Sequence, residues 1–170
     1  MSGTLLHEYE IMQNPAIGAN ALWAYTQGFI SRPTEEIQPL TLWHLVSVIP
    51  LVFNDTSRKI INKKRKSSGL RSILDRDSSN SLAQNETIFN IDIRIKSMKN
   101  RTLRSLNIAI ACNLISLEEG CFTSNVPFKL PKQVADETKA VLNAANKLGE
   151  WAGSMSAFEY LTILGVDPLK

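Results

Sequence analysis

The chain has 170 residues, 44% of them hydrophobic and 21% charged, with a net charge of +3. This composition excludes a disordered tail or a fibre, and the length suits one domain burying roughly 70% of the surface its unfolded form exposes. Two cysteines, Cys112 and Cys121, are too few for a disulfide framework, and the two histidines, His7 and His44, do not stand at ligand spacing with them. No metal or cofactor is therefore expected, and the setting reads as reducing and cytoplasmic.

The opening MSGTLLHEYEIM lacks a basic leader and carries Glu8 and Glu10 where a secretion signal would be apolar. Asn14 and Pro15 then form a cap and first-turn pair. Ile11, Met12, Pro15, Ala19, Leu22, Trp23, Thr26, Phe29 and Ile30 follow at helical spacing, so an amphipathic helix is predicted to about Ser31. Arg32-Pro33 stops it, because the residue before a proline avoids the α region. A second helix is predicted from Pro39, carrying Leu40, Trp43, Val46 and Val48 to a kink or stop at Pro50. The apolar run LWHLVSVIPLVF, Leu42 to Phe53, falls short of the roughly 20 residues that span a bilayer, and reads as a buried core helix.

NDTSRKIINKK supplies polar caps and a short helix around Ile60 and Ile61. Four consecutive cations follow, Lys63, Lys64, Arg65 and Lys66, beside Ser-Ser-Gly. A helix C-terminus favours cations by about 0.3–1 kcal/mol each, so this cluster needs no ligand, yet a basic loop can also hold phosphate. From Arg58 to Arg104 there are 13 Lys or Arg against four acids, a local charge of +9, while the rest of the chain carries six against 12, or −6. Such opposed parts suit an anionic partner on one side and a basic protein on the other.

Asp75 to Asn85, DRDSSNSLAQN, is polar and reads as an exposed loop. The expected organisation is one domain over 1–170, with a helical half over about 1–74, this loop over about 75–85, and a second half over about 86–170. FNIDIRIK is ambiguous, because Ile91, Ile93 and Ile95 alternate as in a strand while Ile88, Ile91, Ile95 and Met98 fit a helix; length favours a helix from about Glu86 to Met98. With Asn100 as a cap, RTLRSLNIAIACNLISL gives a second helix with Leu103, Leu106, Ile110 and Leu114 inward. Glu119-Gly120 reads as a turn between strands ending at Leu117 and running from Cys121 to Thr123. A long helix follows from Pro131 with Val134, Val141, Leu142, Ala145, Leu148, Trp151 and Met155. Ser156 with Glu159 caps a last helix that Gly165 and Pro168 end. The fold class is therefore mainly α, with a winged-helix-like helix-turn-helix and a small β-hairpin.

No phosphate loop, dinucleotide fingerprint or nucleophile elbow is present in the sequence. His44, within an apolar run, reads as a core histidine, Cys112 as a small buried hydrophobe, and Trp23, Trp43 and Trp151 as core anchors. Glu35-Glu36 and Glu118-Glu119 read as solvated loop acids. No catalytic residue is nominated, and the candidate nucleic-acid contacts are Lys63, Lys64, Arg65, Lys66, Arg71, Arg101 and Arg104. The IAIAC centre of the predicted recognition helix is apolar on most sides, which suits protein packing better than base readout.

Four segments, NPAIGANALWAYTQGF, IPLVFNDTSRKII, NRTLRSLNIAIACNLISLEEGCF and KLGEWAGSMSAFEYLTILGVDP, span most of the chain in a telling order. In them the sequence resembles the middle components of bacterial three-component ABC systems, small proteins encoded between an SMC/Rad50-like ABC ATPase and a third component. The resemblance implies a helical, winged-helix-like, non-enzymatic adaptor that docks on the ATPase and helps control an effector protein, in defence against phage or plasmids. It carries over no catalytic residue. NKKRKSSG departs from the family pattern, so contact there with double-stranded DNA, without sequence specificity, is a hypothesis particular to this chain. The alternative is a stand-alone winged-helix transcriptional regulator.

Overall fold

The computed structural model describes residues 14–32, 38–73 and 90–166. The opening segment with His7, Glu8, Glu10, Ile11 and Met12, the stop at Pro33, the pair Glu35-Glu36, the polar stretch from Asp75 to Asn85, the helix start at Glu86 and Pro168 lie outside the described residues.

Helix α1, Pro15–Ile30, begins where Asn14 Oδ1 accepts the Ala16 N–H at 2.9 Å and Pro15 occupies the first turn. It is buried on most of its circumference, from Gly18 through Leu22 and Tyr25 to Phe29, and so forms the centre of the molecule. The chain then runs through three short helices, α2 (Leu42–Leu45), α3 (Val48–Val52) and α4 (Asp55–Lys63), and two 3-10 turns at Lys66–Ser68 and Leu70–Ile73. The second helix starts not at Pro39 but after Thr41, whose N–H donates to His44 Nδ1 at 3.3 Å. The helical run is interrupted at Val46 and Ser47, the turn ahead of Pro50, so the kink is found and the stop at Pro50 is not. Pro50 occupies the first turn of α3, where its missing N–H removes no intrahelical bond.

Helix α5, Ile91–Ala111, settles the Ile91 to Ile95 ambiguity as helix and runs unbroken through Asn100. The turn expected there is absent, so the helix-turn-helix of the C-terminal half is not formed at that point. Asn inside a helix costs only about 0.7 kcal/mol, whereas one face packs on the core on both sides of it, through buried Ile91 and half-buried Ile95 and Met98 before it and buried Thr102, Leu106 and Ala109 after it. The helix ends at Cys112 in a left-handed cap: Asn113 adopts φ 56, its N–H donates to Ile110 O, and Leu114 N–H donates to Ala109 O, both at 2.9 Å. Cys112 is consequently exposed rather than buried.

Strands β1, Ser116–Glu118, and β2, Cys121–Thr123, pair antiparallel with Leu117 opposite Phe122. Glu119 (φ 50) and Gly120 (φ 81) make the tight two-residue turn, the backbone that right-twisted hairpins favour. Phe122 N–H donates to Leu40 O at 2.8 Å and moors the hairpin to the chain leading into α2. Helix α6, Asp136–Ala152, starts five residues after the expected Pro131, with Asp136 and Glu137 favouring its positive end. Ser156 Oγ accepts the Glu159 N–H at 3.2 Å and caps α7, Ala157–Ile163, which Gly165 closes with φ 72.

The fold is thus mainly α with one small hairpin. Helix α1 lies against both α5 and α6. At the α1–α6 seam a Cβ on Gly28 would strike the Asn146 carbonyl, and one on Gly149 would strike the Tyr25 carbonyl. Only glycine permits so close a backbone approach.

Candidate docking surfaces

The basic segment is held by a specific scaffold. Lys147 of α6 donates from Nζ to the carbonyls of Ile61, Asn62 and Lys64 at 3.1, 2.9 and 2.8 Å, which satisfies the open C-terminus of α4. Trp151 Nε1–H donates to Lys66 O at 2.8 Å. Desolvation, followed by the neighbouring Lys66 charge, lowers the Lys147 pKa below its ordinary value, with Glu150 acting in the opposite sense. Lys66 itself pairs with Glu150, and Arg71 reaches Glu159 at 3.2 Å. Lys63 and Arg65 are exposed, and Lys64 is half-buried.

Five of the candidate phosphate contacts therefore lie along one strip packed on α6, whereas Arg101 (half-buried) and Arg104 (exposed) belong to α5, which packs on α1 and α3. At the start of α5, Arg94 Nη1 donates to Pro50 O at 3.1 Å and Ser57 Oγ at 3.4 Å, and burial lowers its pKa.

A second surface was hidden in the sequence. Leu42 and Trp43 from α2, with Val46 just beyond its end, face Ile95, Thr102 and Leu103 from α5 across an open apolar groove of about 310 Å³, with Lys96 and Lys99 also lining it. Trp43, expected in the core, is 58% exposed, with Leu42 at 39% and Leu103 at 36%. The reversal comes from the helix start: beginning at Leu42 turns His44 and Leu45 inward and Trp43 outward. In a run where nearly every residue is apolar, periodicity cannot choose the buried face. Beneath the groove, the Thr102 side chain is 1% exposed and its hydroxyl makes no hydrogen bond among the described residues. Leaving a buried hydroxyl unmatched costs about 1–3 kcal/mol.

On the inner side of α2, His44 is fully buried, as expected of a core histidine. Its Nε2–H donates to Met155 O at 3.4 Å, and its ring meets Phe29 edge-on at 5.0 Å. Desolvation lowers its pKa to about 4, partly opposed by the Met155 bond, so it is neutral at pH 7. Ser47 Oγ and Tyr160 OH lie 2.8 Å apart, and burial raises the Tyr160 pKa to about 12. Trp151 is a core anchor and Trp23 is half-buried, with its Nε1–H on Val126 O at 3.0 Å. Glu118 and Glu119 are both exposed, though only Glu119 lies in the turn and Glu118 ends strand β1.

The model of one protein family, the ABC-three component (ABC-3C) system Middle Component 3, matches residues 2–168. The chain belongs to that family. No curated protein and no solved structure matches it. The middle-component match runs across the residues of both the basic strip and the groove. Among the described residues of this middle component, no helix is long and apolar enough to cross a membrane.

Proposed function

We propose that this middle component is a non-enzymatic adaptor that holds the SMC/Rad50-like ABC ATPase and the effector of its three-component system in one assembly, in defence against phage or plasmids. The observation that carries this reading is Trp43, a large exposed aromatic set with Leu42 and Leu103 in one apolar groove. Contiguous exposed apolar surface of this kind marks interaction sites. Co-expression with the two proteins encoded beside it should give a single co-eluting complex on size exclusion. Elution of a well-folded chain apart from both would overturn the adaptor.

A second contact is proposed with double-stranded DNA, independent of sequence, along Lys63, Lys64, Arg65, Lys66 and Arg71, with Arg101 and Arg104 as outlying cations. The exposure of Lys63 and Arg65 at the end of α4 favours it. Replacing Lys63, Lys64, Arg65 and Lys66 together by Ser should flatten the salt dependence of DNA binding by about 0.9 in log–log slope for each cation that reaches a phosphate. An unchanged slope would remove the basic strip from the DNA contact. A stand-alone winged-helix regulator is the weaker reading, since α5 offers no recognition helix set off by a turn at Asn100.

A further inference from the structure

We infer that the groove between α2 and α5 receives an acidic amphipathic helix from a partner subunit, and this inference rests on the adaptor reading. Three observations converge on that occupant. The first is shape. The α5 wall runs from Ile95 to Leu103, about 12 Å at 1.5 Å per residue, which is the reach of two helical turns. Apolar side chains at i, i+3 or i+4, and i+7 of an incoming helix would meet Leu42, Trp43, Val46, Ile95 and Leu103 along that length.

The second is charge. Helix α5 carries Arg94, Lys96, Lys99, Arg101 and Arg104 against the single acid Asp92. Lys96 and Lys99 line the groove itself, and Lys96 reaches Asp92, the one acid of this helix, at 2.8 Å. A helix that seats its apolar stripe here must bring Asp or Glu on its flank to meet this field, whereas a basic helix would be repelled. The third is the Thr102 hydroxyl, buried under the groove without a hydrogen-bond partner among the described residues. A polar group of the incoming helix can supply that partner. Duplex DNA fits the charge but not the walls, because a phosphate backbone gains nothing from Leu42, Trp43 and Leu103.

The test uses the full chain co-expressed with the two neighbouring gene products. Trp43→Ala, and separately the double charge reversal Lys96→Glu with Lys99→Glu, should each weaken retention of one partner by about tenfold or more, the range of a central aromatic anchor. Both alter exposed side chains, so thermal unfolding of each variant should match the wild type. A photo-crosslinking residue at position 43 should join a segment of that partner with apolar residues at helical spacing and flanking Asp or Glu. A complex that forms equally with wild type and both variants would overturn the docking inference while leaving the adaptor standing. A wild-type chain that binds neither protein would overturn the adaptor and with it this inference. Loss of bound duplex DNA, or of a dimer of the chain itself, with partner retention unchanged, would assign the groove to nucleic acid or to self-association and overturn it as well.

Discussion

The seam between α1 and α6 and the groove between α2 and α5 are both apolar meetings of helices, yet one is closed and the other open. At the seam glycines let the backbones meet: Gly28 lies against the Asn146 carbonyl, Gly149 against that of Tyr25 and Gly153 against that of Phe29. The backbones come close enough for Asn146 Nδ2–H to donate to Ala24 O at 3.0 Å. At the groove the residues are large and branched, Leu42, Trp43 and Val46 against Ile95 and Leu103, and they leave about 310 Å³ between them. Hydrophobicity is common to both; side-chain size decides which contact seals within the chain and which is left for another molecule.

The largest expected effect comes from forcing the seam apart. Gly149→Ala would place a methyl on the Tyr25 carbonyl, a backbone atom that cannot swing away. The roughly 1 kcal/mol gained in helix propensity is outweighed, and denaturant unfolding should show a net loss of about 2–3 kcal/mol. A stabilised variant would mean that the seam is not as close as described.

Acid tests the wall that α2 presents to the core. His44 stays neutral in the folded protein down to about pH 4, while an unfolded histidine takes its proton near 6.5. The unfolded chain therefore binds the proton first as pH falls. Stability from this group is complete above about pH 6.5 and drains away toward pH 4, by about 3 kcal/mol in all. Unfolding measured across that window should lose this slope in His44→Gln; an equal slope in the variant would show that the histidine is not buried neutral.

The smallest effect on stability is expected at the groove. Trp43→Ala should shift unfolding by no more than about 0.5 kcal/mol, because the side chain is largely exposed. A loss of several kcal/mol would make Trp43 part of the core and erase the contrast with the seam.

Local signals were readable wherever one residue type satisfies one backbone need. Asn14-Pro15, the Ser156 cap with Glu159, Glu119-Gly120 and Gly165 all mark turns or caps at the positions the sequence indicated. The errors have a common origin in side-chain burial. Asn100 has the chemistry of a cap, but the apolar stripe on both sides of it belongs to one buried face. Cys112 has the composition of a core residue, but the left-handed Asn113 ends the helix there and leaves it outside. The groove was illegible because its walls are separated by about 50 residues, and no local pattern reports their meeting.

The sequence by itself determined a mainly helical chain, its caps, its hairpin and the concentration of cations from Arg58 to Arg104, because each follows from contacts within a few residues. Tertiary structure alone decided that Trp43 faces out, that α5 is continuous, and that Lys147 and Trp151 grip the basic strip. Those outcomes depend on which faces of distant segments exclude water together, a choice that local preference is too weak to make.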